Sequence, residues 1–208
     1  MNHSGALTVV FAKAPQAGRV KTRLTAAIGA HEAARLHARL LDRTIATARA
    51  AGCGTVELHG SPAGHAWMRA LARRHSIGLR EQAQGDLGKR MGAALRSGLR
   101  THSRVILVGS DCPVLCAGDL RRAAALLRAC PAVLAPAEDG GYPLIGLSRW
   151  SATLFEGIAW GSDCVFRQTR ERLDALGWRW RALRTLWDVD RPEDLARLRE
   201  TGLRGWRR

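Results

Sequence analysis

The stretch R-V-I-L-V-G-S-D-C-P, residues 104–113, decides the fold class. Residues 105–108 form an apolar run without polar alternation, which is typical of a strand buried on both faces of a sheet. Gly109 and Ser110 end this strand, and the carboxylate of Asp111 follows at once. Because ligands of α/β proteins bind at the carboxyl ends of parallel strands, the stretch predicts an α/β fold with Asp111 at its ligand-binding edge.

Strand and helix patterns alternate on both sides of this stretch. Further strands are predicted over residues 7–11, 55–58, 77–81, 132–135, 144–147 and 180–186. Helices are predicted over about 31–49 and 163–176, from Ser61-Pro62 to about 74, from Asp86 to about 99, after Asp111, and from Pro192 onward. The alternation predicts a three-layer αβα architecture with a mostly parallel, Rossmann-like sheet. No linker or repeat divides the chain, so we expect residues 1–208 to form a single domain.

The composition narrows the class of partner. The 208 residues include 33 Lys and Arg against 18 Asp and Glu, a formal net charge of +15, and all but three of the basic residues are Arg. This excess is spread along the predicted helices, which indicates a solvated surface more than a nucleic-acid-binding face. No apolar run approaches the ~18–20 residues of a membrane span, and the five scattered cysteines form no C-x-x-C pair. We therefore expect a cytoplasmic protein with reduced thiols and no membrane partner.

The segment F-A-K-A-P-Q-A-G-R-V-K-T-R-L, residues 11–24, is a candidate phosphate-binding loop. Gly18 lets the backbone approach an anion closely, and four cations lie within eleven residues: Lys13, Arg19, Lys21 and Arg23. The G-x-x-x-x-G-K-[ST] pattern of a P-loop is missing, and a solvated basic loop is the alternative. We favour phosphate binding because so cationic a loop repels itself unless an anion neutralises it.

Three acidic side chains are candidate metal ligands. Asp111 stands where a divalent cation could bridge phosphates, and it could equally cap the following helix. In D-V-D-R-P-E-D-L, residues 188–195, Asp188 and Asp190 are two apart and point the same way on a continuing strand, which suits a second carboxylate for that metal. The alternative makes Asp190 the N-cap of a helix with Pro192 in its first turn.

Two glycine-containing motifs are open to both a structural and a functional interpretation. In Q-G-D-L-G-K-R-M, residues 84–91, Gly85 and Gly88 flank Asp86 at a helix start, where backbone N–H groups can bind polar groups or simply be capped. A-E-D-G-G-Y, residues 137–142, is either a tight turn or a turn that positions an acceptor substrate. The histidines show no ligand spacing, and no Ser/His/Asp arrangement is visible.

In this order, the motifs resemble the bacterial glycosyltransferase-A-like family known as radical SAM/selenodomain-associated transferases, which is similar in turn to 2-phospho-L-lactate guanylyltransferases. The likeness covers nearly the whole chain, through residues 13–24, 84–91, 108–113, 136–142, 158–162 (I-A-W-G-S) and 188–195. The chain departs from the family at Pro143, where a second aromatic residue is usual, and at Gly161-Ser162 in place of Ser-Thr. Both departures fall on the acceptor side.

The resemblance implies a nucleotide-diphospho-sugar transferase (GT-A) fold and a role for each motif. The residues that would bind the nucleotide are Lys13, Gly18, Arg19, Lys21, Arg23, Gly85, Asp86, Leu87, Gly88 and Arg90. The metal, Mg²⁺ or Mn²⁺, would be held by Asp111 with Asp188 or Asp190. Lys13, Arg23 and Asp111 would be the catalytic residues. The acceptor would face Asp139, Gly140, Gly141 and Tyr142.

The leading hypothesis is a Mg²⁺-dependent nucleotidyltransferase that joins a nucleoside monophosphate to a small phosphorylated acceptor and releases pyrophosphate. Such chemistry needs positioning and charge neutralisation more than a covalent catalyst, which agrees with cationic loops, carboxylates and no obvious nucleophile. One alternative is a glycosyltransferase that uses a nucleotide-sugar donor. The other is a basic nucleic-acid-binding module, for which Trp178 and Trp180 with Arg179 and Arg181 form the one aromatic–Arg cluster.

Overall fold

The computed structural model describes residues 3–202, which contain a seven-stranded sheet. Its strands, in chain order, are β1 (His3–Lys13), β2 (Gly54–Ser61), β3 (Gly78–Glu81), β4 (His102–Gly109), β5 (Ala132–Ala135), β6 (Leu144–Leu147) and β7 (Trp180–Ala182). Every predicted strand is present, and the mostly parallel α/β sheet is confirmed. The ends of the predicted domain, residues 1–2 and 203–208, lie outside the described residues.

The strands lie in the order β3-β2-β1-β4-β6-β5-β7. β1 pairs in parallel with β2 on one side and β4 on the other, so Val9 lies between Glu57 and Leu107. β6 is antiparallel to both of its neighbours, β4 and β5. Because the chain leaves β1 toward one side and later returns to its other side, a crevice opens at the carboxyl ends of β1 and β4.

Helices cover both faces of the sheet. Their bounds are α1 (Thr25–Ile28), α2 (Ala30–Ala51), α3 (Ala66–Arg74), α4 (Leu87–Leu99), α5 (Ala117–Leu126), α6 (Val165–Ala175) and α7 (Asp194–Leu198), with short 3-10 helices at Thr22–Leu24, Ala152–Phe155 and Arg199–Thr201. Successive residues of a strand point to opposite faces. Val10 accordingly packs with α2, α3 and α5, and Val9 packs with α4 and α6. The three-layer prediction is confirmed.

A third apolar cluster fixes the C-terminal segment beside the loop that follows β1. Leu24 and α2 residues Leu36 and Leu40 pack there against Trp187 and Val189, together with Leu195 and Leu198 of α7. This packing brings residues 187–190 next to the end of β4, where Val189 donates its backbone N–H to the carbonyl oxygen of Asp111 at 2.9 Å. None of the described helices is long and apolar enough to cross a membrane.

Two predicted helix starts and one strand end are wrong. Ser61 is still a strand residue, paired with Lys13 of β1, so Pro62 follows a strand through a cis peptide bond. Helix α3 begins four residues later, after His65 accepts the N–H of Trp67 on its imidazole. Helix α7 begins at Asp194, and β7 ends at Ala182, before the 186 expected. At residues 61–62, serine and proline indicated a helix start, but the pairing of Ser61 with β1 extends the strand instead.

Glu57 is expected to stabilise the β2–β3 edge of the sheet in a pH-dependent way. Its carboxylate contacts His59 at 3.1 Å and Arg80 at 2.8 and 3.0 Å, and the hydrogen bond from His59, with help from Arg80 and against the effect of burial, lowers the pKa of Glu57 to about 2. A carboxyl group whose pKa is lower in the folded state stabilises the protein above its unfolded pKa and loses that effect on acidification. The substitution Glu57→Gln should therefore lower the free energy of unfolding by about 1–2 kcal/mol at pH 7.

Urea unfolding of both proteins at several pH values measures this effect. The difference between them should shrink from about pH 5 toward pH 2. Glu171→Gln, which removes an exposed pair with Arg167 on α6, is the matched control and should cost less than about 0.5 kcal/mol. A difference for Glu57→Gln that is constant with pH would contradict the assignment.

Candidate functional site

A cleft of about 990 Å³ opens at the carboxyl ends of β1 and β4. The loop after β1, the turn after β4, the β5–β6 loop, the segment before α6 and residues 187–194 line it, together with the first turn of α4. These segments contain the motifs identified in the sequence. The predicted site residues that line the cleft are Lys13, Arg19, Lys21, Arg23, Leu87, Arg90, Asp111, Asp139, Gly141, Tyr142, Asp188 and Asp190.

The other predicted site residues, Gly18, Gly85, Asp86, Gly88 and Gly140, are outside the cleft lining. Asp86 is the N-cap of α4 and accepts the backbone N–H of Lys89 at 2.8 Å. Gly88 packs so closely against the Trp160 indole that a Cβ would lie 2.5 Å from its Nε1 atom. Gly140 has a φ of +85°, and a Cβ there would lie 2.0 Å from the carbonyl oxygen of Asp163. Gly18 and Gly85 also have positive φ and do not line the cleft.

Lys21 and Asp111 form an ion pair at the base of the cleft. The Nζ atom of Lys21 lies 2.9 Å from Oδ2 of Asp111 and donates to the carbonyl oxygen of Val189 at 2.5 Å. The Lys21 side chain is 3% exposed, whereas that of Asp111 is 41% exposed. Desolvation opposes ionisation of Asp111, but the charge of Lys21 and the contact with His37 outweigh it and hold the pKa of that carboxyl well below its usual range. Asp111 is therefore an anion that remains open to a ligand.

The backbone at Lys21 explains why its ammonium group is buried. Lys21 has left-handed φ and ψ angles of 49° and 39° and precedes the 3-10 helix Thr22–Leu24. Its neighbours Val20 and Leu24 are both buried, so the chain turns sharply between two anchored apolar residues. A non-glycine residue in this conformation is strained. The bonds to Asp111 and Val189 offset that strain, and they commit the ammonium group to the protein rather than to solvent.

The other predicted phosphate-binding cations are at the surface of the same loop. Lys13 and Arg19 are exposed, and neither has an ion-pair partner among residues 3–202. Arg23 pairs with Asp190 across the cleft. Asp190 is not the predicted N-cap, because it is Asp194 whose carboxylate accepts the backbone N–H groups of Asp190 and Arg191, at 2.8 and 2.6 Å.

His37 is a residue of the cleft that the sequence did not reveal. It lies on α2 and is 4% exposed. Its Nε2 atom donates to the carbonyl oxygen of Lys13 at 2.9 Å, and its Nδ1 atom lies 3.5 Å from Oδ1 of Asp111. Since a carbonyl oxygen only accepts, Nε2 carries a proton. The sequence offers one signal for this role, because the histidine stands beside Leu36 on the apolar stripe of a helix. The same pattern is equally typical of a histidine in the core.

Asp188 and Asp139 add negative charge beside Asp111. Burial and the charges of Asp139 and Asp111 raise the pKa of Asp188 to about 6, although Lys21 opposes them. In the described part of the chain, no three His, Cys, Asp or Glu side chains are placed to hold a metal ion by themselves. Mg²⁺ commonly takes one or two carboxylates and completes its shell with phosphate oxygens and water. Asp111 and Asp188 line the cleft and fit such a site, and Asp190, which pairs with Arg23 as Asp111 does with Lys21, lines it as well.

The β5–β6 loop and Trp160 form the wall on the opposite side. Asp139 accepts the N–H of Gly141 at 2.9 Å, which closes the turn. The Tyr142 ring lies edge-on to Trp160 with 6.5 Å between ring centroids, and its hydroxyl oxygen is 3.5 Å from the Thr169 hydroxyl. Burial raises the pKa of Tyr142 above its usual range. Tyr142 therefore contributes a neutral aromatic surface.

The aromatic–Arg cluster considered for nucleic-acid binding has partners within the protein. Trp178 packs in the core with α4 and α6, and Arg149 lies over its ring at 5.4 Å. Trp180 donates its indole N–H to Asp174 at 2.9 Å. These rings offer no row of free stacking platforms, which nucleic-acid binding on this surface would require.

Comparison with known proteins identifies the family. A family described as "Uncharacterized protein conserved in bacteria (DUF2064)" matches residues 44–162, which is more than half of the chain. The chain belongs to the DUF2064 family. No curated protein matches it in sequence. The match covers β2 to β6, and with them Arg90, Asp111 and the β5–β6 loop.

Solved structures show that the DUF2064 chain has the nucleotide-diphospho-sugar transferase fold. A candidate nucleotide-diphospho-sugar transferase from Desulfovibrio desulfuricans G20 is similar over 99% of this chain and 91% of its own, with a TM-score of 0.87 and 29% identity. A 4-diphosphocytidyl-2C-methyl-D-erythritol synthase from Anaerococcus prevotii DSM 20548 matches with a TM-score of 0.65 and 9% identity, over 95% and 97% of the two chains. Rv0371c from Mycobacterium tuberculosis H37Rv, in complex with manganese, matches with a TM-score of 0.53 and 22% identity, over 96% and 100%.

Removal of the buried ammonium group should destabilise this DUF2064 protein. The substitution Lys21→Met leaves Asp111 without its cation and the Val189 carbonyl without its donor, at an expected cost of about 2–4 kcal/mol in the free energy of unfolding. Denaturant titration measures the change, with Lys89→Met at an exposed position as the matched control. The double variant Lys21→Met/Asp111→Asn should recover part of the loss. If the double variant is less stable than Lys21→Met, the unpaired carboxylate is not the cause.

Proposed function

We propose that this DUF2064 protein is a metal-dependent nucleotidyltransferase. The observation that carries the proposal is the arrangement of charge in one cleft at the carboxyl ends of β1 and β4. Lys13 and Arg19 supply unpaired cations at one side, and Asp111 and Asp188 supply carboxylates at the base. Free cations suit a polyphosphate, and the carboxylates suit the divalent ion that accompanies it. The shared fold with a 4-diphosphocytidyl-2C-methyl-D-erythritol synthase supports this kind of activity.

In the proposed reaction an acceptor oxygen attacks the α-phosphorus of a nucleoside triphosphate, and the bond from that phosphorus to the bridging oxygen breaks to release pyrophosphate. Lys13 and Arg19 would hold the triphosphate oxygens, with Arg23 released from Asp190 or shared with it. Asp111 and Asp188 would hold Mg²⁺ or Mn²⁺, which neutralises phosphate charge when bound. Lys21 and His37 would keep Asp111 in place. Positioning and charge neutralisation supply the catalysis, so no covalent nucleophile is required.

The side chains at the acceptor end of the cleft do not suit the phosphorylated acceptor that the sequence predicts. The segments 137–142 and 158–163 contain Glu138, Asp139 and Asp163 and neither Lys nor Arg. Glu138 is neutralised by two bonds from Arg197, at 2.6 and 2.8 Å, while Asp139 has no ion pair in the described structure. With Trp160 and Tyr142 beside them, these side chains favour an acceptor that carries hydroxyl groups over one that carries a phosphate.

A glycosyltransferase that takes a nucleotide sugar is the second candidate. The similarity to the Desulfovibrio desulfuricans protein at 29% identity favours it, as does an acceptor side without cations. We also propose the relationships that the sequence suggests, to radical SAM/selenodomain-associated transferases and to 2-phospho-L-lactate guanylyltransferases. The cytoplasmic location and the single domain over residues 1–208 remain proposals too.

Nucleotide-dependent thermal stabilisation tests the proposed function. At least one of ATP, GTP, CTP and UTP should raise the Tm of the full chain, and more so with Mg²⁺ or Mn²⁺ than with a chelator. The metal-dependent part of the shift should disappear in Asp111→Asn and in Asp188→Asn. Glu32→Gln, on α2 and outside the cleft lining, should respond like the unmodified chain.

The pattern of response separates the candidate functions. Stabilisation by a nucleotide sugar and by no free triphosphate would favour the glycosyltransferase. A full metal-dependent shift in both aspartate variants would contradict the metal assignment. No response to any triphosphate or nucleotide sugar would refute the proposed function.

A further inference from the structure

Two ion pairs join the loop after β1 to acidic side chains of the cleft, and they differ in exposure. The Lys21 side chain is 3% exposed in its pair with Asp111, whereas in the second pair the side chains of Arg23 and Asp190 are 64% and 39% exposed. Nη1 of Arg23 donates to Oδ2 of Asp190, and all four side chains line the cleft. Water and ligands can therefore reach both partners of the Arg23–Asp190 pair, whereas the Lys21 ammonium group is enclosed by protein.

The backbone on each side of the Arg23–Asp190 pair is anchored without the pair. Leu24, the residue after Arg23, and Val189, the residue before Asp190, are both buried in the third apolar cluster. The backbone N–H of Asp190 is accepted by the carboxylate of Asp194 at 2.8 Å. Exposed ion pairs contribute little to the stability of a fold. Arg23 and Asp190 can therefore exchange partners while the segments that carry them stay in place.

While they are paired, Arg23 and Asp190 are withheld from the ligands of the proposed reaction. In the same loop Lys13 and Arg19 have no ion-pair partner among residues 3–202, so they can meet a phosphate directly. A phosphate oxygen that approaches Arg23 is repelled by the Asp190 carboxylate beside it, and a divalent cation that approaches Asp190 is repelled by the guanidinium group. Either ligand gains the full interaction only after the pair has separated.

We propose that the Arg23–Asp190 pair restrains the empty cleft and makes polyphosphate and divalent metal bind cooperatively. The inference rests on the proposed function, since it assumes that both ligands occupy the cleft. A phosphate that takes Arg23 frees the Asp190 carboxylate for the metal, and a metal that takes Asp190 frees Arg23 for the phosphate. The pair is broken once when both ligands bind, whereas each ligand alone has to break it. Each ligand therefore raises the affinity for the other by the same factor.

Calorimetric titration of the full chain with inorganic tripolyphosphate, in the presence of a metal chelator, tests the phosphate side. Asp190→Asn should bind tripolyphosphate about two- to fivefold more tightly than the unmodified chain, because Arg23 is released. Loss of any negative charge favours an anion, so the matched control is Asp139→Asn, which removes a cleft carboxylate without an ion pair in the described structure and should gain less. Asp190→Asn made in an Arg23→Met background should gain no more than this control.

Binding of Mn²⁺ without phosphate, measured from the electron paramagnetic resonance signal of the free ion, tests the metal side. Arg23→Met should bind Mn²⁺ about two- to fivefold more tightly than the unmodified chain, because Asp190 is released. Arg19→Met is the matched control, since it removes an unpaired cation from the same loop, and it should gain less. Arg23→Met made in an Asp190→Asn background should gain no more than Arg19→Met.

The outcomes separate the inference from the proposed function. An equal gain in tripolyphosphate affinity for Asp190→Asn with and without Arg23 would show that the carboxylate acts through its charge alone. That result would overturn the inference, whereas the binding itself would support the proposed function. Mn²⁺ binding that Arg23→Met strengthens no more than Arg19→Met, or that no variant shows, would overturn the inference as well. Absence of tripolyphosphate binding by every variant would refute the phosphate site, and with it both the proposed function and the inference.

Discussion

The ammonium group of Lys21 joins three segments that are far apart in the chain. It belongs to the loop after β1, pairs with the carboxylate that follows β4, and donates to the backbone beside Asp188. The backbone bond from Val189 to the carbonyl oxygen of Asp111 closes the same junction. The lysine is buried, so these contacts fix the arrangement of charge at the base of the cleft within the fold itself. A site arranged in this way has its electrostatics organised in advance, which is what phosphoryl transfer requires.

The sheet and the third apolar cluster create the place where this junction forms. β1 has parallel neighbours on both sides, so the loops after β1 and β4 diverge and leave a crevice between them. Leu24, Trp187 and Val189 then hold the C-terminal segment over that crevice. The cleft consequently has unpaired cations on the side of β1, carboxylates at its base, and an acidic, aromatic wall on the side of β5 and β6. The net charge of +15 matters less to function than this separation of charge within one cleft.

Much of the fold and part of the site can be predicted from the amino-acid sequence. Buried strands such as residues 105–108 and amphipathic helices such as α2 have local periodicity, so their predicted positions are correct. Asp86 as the cap of α4 is likewise a local pattern. The predicted start of α3 is wrong because Ser61 and Pro62 are as compatible with the end of a strand as with the start of a helix, and α7 begins two residues after Pro192. The antiparallel placement of β6 has no local signature, since pairing partners are chosen by the rest of the sheet.

The sequence by itself determined the αβα class, the alternation of strands and helices, and which loops hold the charged residues of the cleft, because these depend on periodicity and on the carboxyl ends of parallel strands. Only the tertiary structure decided what each charge does. Lys21 binds Asp111, Arg23 binds Asp190, and His37 enters the site from α2, which carries no motif. Such pairs are separated by many residues in the chain, and no local pattern specifies which distant atoms meet when the apolar faces pack.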